Sequence, residues 1–76
     1  MIVVLADDLT GAAEIGGVAV RYGLAAEVQA EFLPDANAAV ICVDTDTRSL
    51  AAEQAASRVA AVATLCRAAG VRRVFK

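Results

Sequence analysis

Ile2-Val3-Val4-Leu5-Ala6-Asp7-Asp8-Leu9-Thr10-Gly11-Ala12 decides the fold. Five aliphatic residues run without a polar break and stop at two acids, as expected of a central strand buried on both faces. Thr10 and Gly11 then open a helix whose apolar positions Ile15, Val18, Ala19 and Tyr22 recur at helical spacing, with Gly23 at the C-cap. Gly16 and Gly17 weaken it by about 1 kcal/mol each relative to alanine, so close packing on the sheet is the plain reason for them. A strand that leads straight into a helix is the first half of a βαβ unit.

The pattern repeats downstream. Ala25 to Ala30 is a weaker strand, and Phe32-Leu33-Pro34-Asp35-Ala36-Asn37 has the composition of a turn. Ala39-Val40-Ile41-Cys42-Val43 is a second apolar run ended by acid at Asp44, and the polar loop Asp44 to Ser49 precedes a helix from Leu50 to Ala69. Ser49 is its expected N-cap, and Val59, Val62, Cys66 and Ala69 form its apolar stripe. Gly70 ends it, and Val71 to Lys76 is a last strand. Alternating strands and helices predict an α/β, Rossmann-like three-layer arrangement with a mainly parallel sheet. The expected strand order is 2-1-3-4, with the helices on opposite faces and a crevice between strands 1 and 3 at their carboxyl ends.

Composition narrows the function. The chain has 76 residues, one small domain at most. Its hydrophobic share of 59% exceeds the roughly 45–50% of soluble domains and suits an interior piece of a larger fold. Seven basic and nine acidic residues give a net charge of -2, too weak a field to recruit nucleic acid or an anionic membrane. With no targeting or membrane-spanning segment in the sequence, a cytoplasmic location is expected. The absence of histidine excludes Ser-His-Asp and Cys-His chemistry. Cys42 and Cys66 lack metal-ligand spacing and read as buried free thiols, and no metal site is expected within the chain.

Chemistry therefore rests on two loops, Ala6 to Ala12 and Asp44 to Ser49. Each joins a strand end to a helix start, where free N–H groups favour an anion. Asp7, Asp8, Asp44 and Asp46 can accept hydrogen bonds from sugar hydroxyls, and Arg48 offers a fork for a carboxylate. Thr10, Thr47 and Ser49 are most simply helix caps. The adjacent carboxylates Asp7 and Asp8 repel each other, which favours a functional role for the pair.

Three families share parts of this pattern. The acidic pair, Asp44 and a terminal Lys76 loosely resemble a response-regulator receiver, in which Asp44 would accept phosphate beside an acidic magnesium site. Asp44-Thr45-Asp46 is similar to the signature of haloacid-dehalogenase-type phosphatases, but Arg48 stands where that signature has Thr or Val. The string Val4 to Ala12, followed by Thr45-Asp46-Thr47-Arg48-Ser49, resembles the N-terminal domain of the four-carbon acid-sugar kinase family over essentially the whole chain.

That resemblance implies a kinase acting on threonate or erythronate, with ATP and magnesium held by a separate C-terminal domain. It implies substrate contacts at Asp7, Asp8 and Arg48, with Thr10 and Gly11 shaping the first loop and Asp8 the candidate for proton chemistry. Residues 1–76 then form an incomplete sugar-acid-binding domain, inactive alone. Its partners are the sugar acid and the remainder of the kinase, and its open edge strand favours self-association.

Overall fold

A computed structural model describes residues 1–33 and 37–76. Pro34, Asp35 and Ala36, the middle of the expected turn, lie outside the described residues. The elements are strand β1 (Ile2–Ala6), helix α1 (Leu9–Arg21), strands β2 (Ala26–Gln29) and β3 (Val40–Asp44), helix α2 (Ala52–Ala68) and strand β4 (Arg73–Phe75). All strand pairs are parallel, so the α/β expectation holds.

The strand order is β2-β3-β1-β4, which corrects the expected 2-1-3-4. Strands β1 and β3 are neighbours as anticipated, but β2 lies beyond β3. The reason is the connection after β2. Parallel crossovers take about a dozen residues or more, and the stretch from Gln29 to Val40 is shorter and carries no helix among its described residues. Such a link serves an adjacent strand rather than one two places away. Each helical crossover then skips one strand: α1 passes β3 to reach β2, and α2 passes β1 to reach β4. They run in opposite directions, so right-handed connections put the helices on opposite faces.

Two cores result. On the α2 face, Val3, Leu5, Phe32, Ile41, Val43 and Cys66 are buried together, with Val59 and Val62 packed against them. On the α1 face the buried set is Ala6, Ala12, Ala19, Val40 and Cys42. Here the expected helix stripe is corrected. Ala12, Gly16 and Ala19 face the sheet, whereas Ile15, Val18 and Tyr22 are exposed, Tyr22 at 81%. The helix sits so close to β2 and β3 that only small residues fit beneath it. A Cβ on Gly16 would stand 3.3 Å from Val28 Cγ2, while one on Gly17 would meet nothing within 4 Å. Close packing explains the first glycine and not the second.

Helix ends follow partly from the sequence. Gly23 and Gly70 follow the helices with φ of 79° and 84°, a backbone conformation that glycine adopts without strain. The N-cap of α1 is Asp8, not Thr10, and α2 starts at Ala52 behind Ala51 with no side-chain cap, so Ser49 does not cap it. Arg48 and Ser49 instead lie in a turn before the helix. Both cysteines are free and buried, on opposite faces of the sheet. Burial pushes both thiols up, against a smaller opposing pull from Arg67 at Cys66, which keeps them protonated. No described helix is long and apolar enough to cross a membrane.

Candidate functional site at the carboxyl end of strand β1

The seam between β1 and β3 does not open into a crevice. The Thr45 N–H and Thr45 Oγ1 both donate to the Ala6 carbonyl, each at 2.8 Å. Thr47 and Arg48 donate their N–H groups to the Asp7 carbonyl at 3.0 and 3.1 Å. Because the Thr45 hydroxyl hydrogen goes to Ala6, Thr47 Oγ1 donates to Thr45 Oγ1 at 2.9 Å. Thr45 and Thr47 are buried, and these bonds lace the two loops into one unit. Asp44 Oδ1 accepts the Asp46 N–H at 2.8 Å, and Asp46 takes the left-handed backbone (φ 53°) that Asp tolerates in such a turn.

The expected site residues divide. Asp8 has both oxygens occupied: Oδ1 accepts the Gly11 N–H at 2.8 Å, capping α1, and Oδ2 accepts from Arg48 Nη1 at 2.8 Å. Gly11 belongs to this cap, since a Cβ there would stand 3.0 Å from Asp8 Oδ1. Arg48 reaches back from the second loop to Asp8, and its Nε lies 3.7 Å from Asp7 Oδ2. Asp7 is left with that one longer contact and a side chain 55% exposed. Thr10 is exposed on the first turn of α1.

The open space lies on the other flank of β1. Strand β4 pairs with Ile2, Val3 and Val4 on this flank. A cavity of about 400 Å³ lies at the carboxyl end of β1. Leu5, Ile15 and Val59 give it apolar walls. Its polar rim is Asp7, Gly11, Thr45, Thr47 and Lys76. Asp7 and Gly11 thus border the cavity, while Asp8, Thr10 and Arg48 do not.

Lys76, which the sequence offered only through the receiver resemblance, also lines this cavity.

Further cavities lie elsewhere, two of them near strand ends. One of about 600 Å³ on the β2 flank holds Asp44, Asp46 and Arg58 but touches no residue of the first loop. Another, about 520 Å³, lies among Met1, Ala39, Gly70 and Arg73 at the amino ends of the strands, away from both loops. Among the described residues no three His, Cys, Asp or Glu side chains gather to hold a metal ion.

A family model described as a sugar-binding N-terminal domain matches residues 2–76. No curated protein and no solved structure matches the chain.

Proposed function

The chain belongs to the sugar-binding N-terminal domain family, and from that membership we propose that it is the substrate-binding part of an ATP-dependent kinase that phosphorylates a four-carbon sugar acid of the threonate or erythronate type. The observation that carries this reading is the cavity at the end of β1, bordered by Asp7, whose side chain is half exposed, and walled by the apolar residues Leu5, Ile15 and Val59. Its size falls within the range of about 300–1,000 Å³ usual for small-molecule sites. A carboxylate accepts hydrogen bonds from sugar hydroxyls, and the side chains of Leu5, Ile15 and Val59 suit the C–H faces of a short polyol.

Asp7 is the proposed direct contact of the first loop, with Gly11 letting the ligand approach the backbone. Asp8 and Arg48 act in this reading by holding the loops, since each is already engaged with the other. The residues present supply neither a glycine-rich phosphate loop nor a cluster of metal ligands among those described. ATP and magnesium are therefore assigned to the C-terminal domain that the family resemblance implies, where they would supply the phosphoryl group and neutralise its charge.

The test is a substrate screen on the complete enzyme carrying this domain. ATP is offered with four-carbon sugar acids, longer sugar acids and the matching neutral polyols, and ADP release and product mass are followed. Turnover is expected with a four-carbon acid and not with erythritol. Turnover confined to neutral sugars, or none with any sugar acid, would overturn the reading.

A further inference from the structure

The second loop is bonded to the first on one side and to helix α2 on the other. We infer that Arg58, on α2, is a positioning residue: it holds the backbone of Thr45 and Asp46 and so fixes the loop that braces Asp7. Its effect on substrate rests on the sugar-acid reading of the site.

No side chain caps the start of α2 at Ala51. Arg58, in the second turn of that helix, reaches back past its start. Its Nη1 donates to the Thr45 carbonyl at 3.3 Å and to the Asp46 carbonyl at 3.4 Å. Nη1 carries two hydrogens, one for each carbonyl, and its charge strengthens both bonds.

The two residues it holds are the ones on which the loop turns. Thr45 already gives its N–H and its hydroxyl to the Ala6 carbonyl, so its peptide is gripped between β1 and α2. Asp46 has a φ of 53°, which costs a residue with a Cβ energy. Its N–H is held by Asp44 Oδ1 at 2.8 Å and its carbonyl by Arg58. Directly after it, the N–H groups of Thr47 and Arg48 close on the Asp7 carbonyl. Freeing Asp46 lets the turn relax toward ordinary backbone angles and draws those two donors off Asp7. The Asp7 side chain has one 3.7 Å contact, to Arg48, which the same loop carries. Arg58 lines the cavity on the β2 flank and not the one that Asp7 borders, so it acts through the loop and not on the ligand at Asp7.

The experiment compares wild type, Arg58→Met, Arg58→Lys and Arg67→Met in the complete enzyme. Arg67 is the charge control, since it lies on the same helix and bonds Thr64 within it. Hydrogen exchange is followed in a peptide covering Thr45 to Arg48 and in the strand Ile2 to Ala6. KM is measured for a four-carbon sugar acid and for ATP. Arg58→Met should speed exchange in the loop peptide and leave the strand unchanged. It should raise KM for the sugar acid about threefold to tenfold, the usual net worth of one hydrogen bond, and leave KM for ATP as it is. Arg58→Lys, which keeps a charged donor, should fall between, and Arg67→Met should match wild type.

Unchanged loop exchange in Arg58→Met would overturn the inference, and a raised KM alongside it would make Arg58 a direct substrate contact instead. Faster exchange with an unchanged KM for the sugar acid would also overturn it, because the loop would then not govern the site. Equal rises in both KM values would show general loss of order and reject a positioning role. If wild type turns over no sugar acid while Arg58→Met still loosens the loop, the sugar-acid reading fails and the hold of Arg58 on the loop stands.

Discussion

The two strand-to-helix loops start from the same kind of sequence, an apolar strand running into Asp and Thr, and they end in opposite roles. The first is open: Asp7 stands half exposed at a cavity, and Asp8 caps α1. The second is closed: Thr45 and Thr47 are buried with their hydroxyls bonded inward, and α2 begins late without a side-chain cap. In the proposed reading, one loop presents groups to a ligand and the other holds it in place. The difference arises because two donors from Thr45 converge on the Ala6 carbonyl, pulling the second loop over the end of β1.

Thr45→Val should break this arrangement most. It keeps the shape of the side chain but removes a buried donor and leaves the Thr47 hydroxyl without its partner. A loss of about 1–3 kcal/mol in stability is expected by urea unfolding. An unchanged midpoint would mean that the loops are held by their backbone bonds alone.

Asp8→Ala comes next, at about 1–2 kcal/mol, because it removes a helix cap. Asp7→Ala, one residue away, should stay within about 0.5 kcal/mol of wild type while losing sugar-acid binding. Equal destabilisation by both would erase the distinction drawn within the first loop.

Arg48→Met should cost less than about 1 kcal/mol, since its side chain is 71% exposed and exposed ion pairs contribute little. The smallest effect separates the helix starts. Ser49→Ala should be neutral, whereas Ala51→Ser should gain about 0.5 kcal/mol by supplying the cap that α2 lacks. Thermal unfolding of the pair would reverse this picture if Ser49→Ala were the destabilising change.

Much of this architecture was legible in the residues. The aliphatic run of β1 and the acids that end it gave the strand its limits, and Gly23 and Gly70 marked the helix ends. Strand order was not legible, because it depends on how far the connection after β2 can reach, and the βα pattern is silent on that. The buried face of α1 was misread for a related reason. Hydrophobicity favours Ile15, Val18 and Tyr22, but the closeness of helix to sheet selects Ala12, Gly16 and Ala19.

In the site, the motif singled out residues at the loops without separating those that border the cavity from those that brace the loops. Asp8 and Arg48 read as contacts through the family resemblance and their hydrogen-bonding chemistry. Only the pairing between them shows that each neutralises the other.

The most direct measurement of the central claim is a backbone amide chemical-shift map of this domain within the isotope-labelled complete enzyme, titrated with a four-carbon sugar acid. The largest shifts are expected at Asp7 to Gly11, at Thr45 to Thr47 and at Lys76, around the cavity beside β1. Ala69 to Arg73, at the amino ends of the strands, should not move. Shifts centred on that far end, or on the flank of Asp46 and Arg58, would contradict the account.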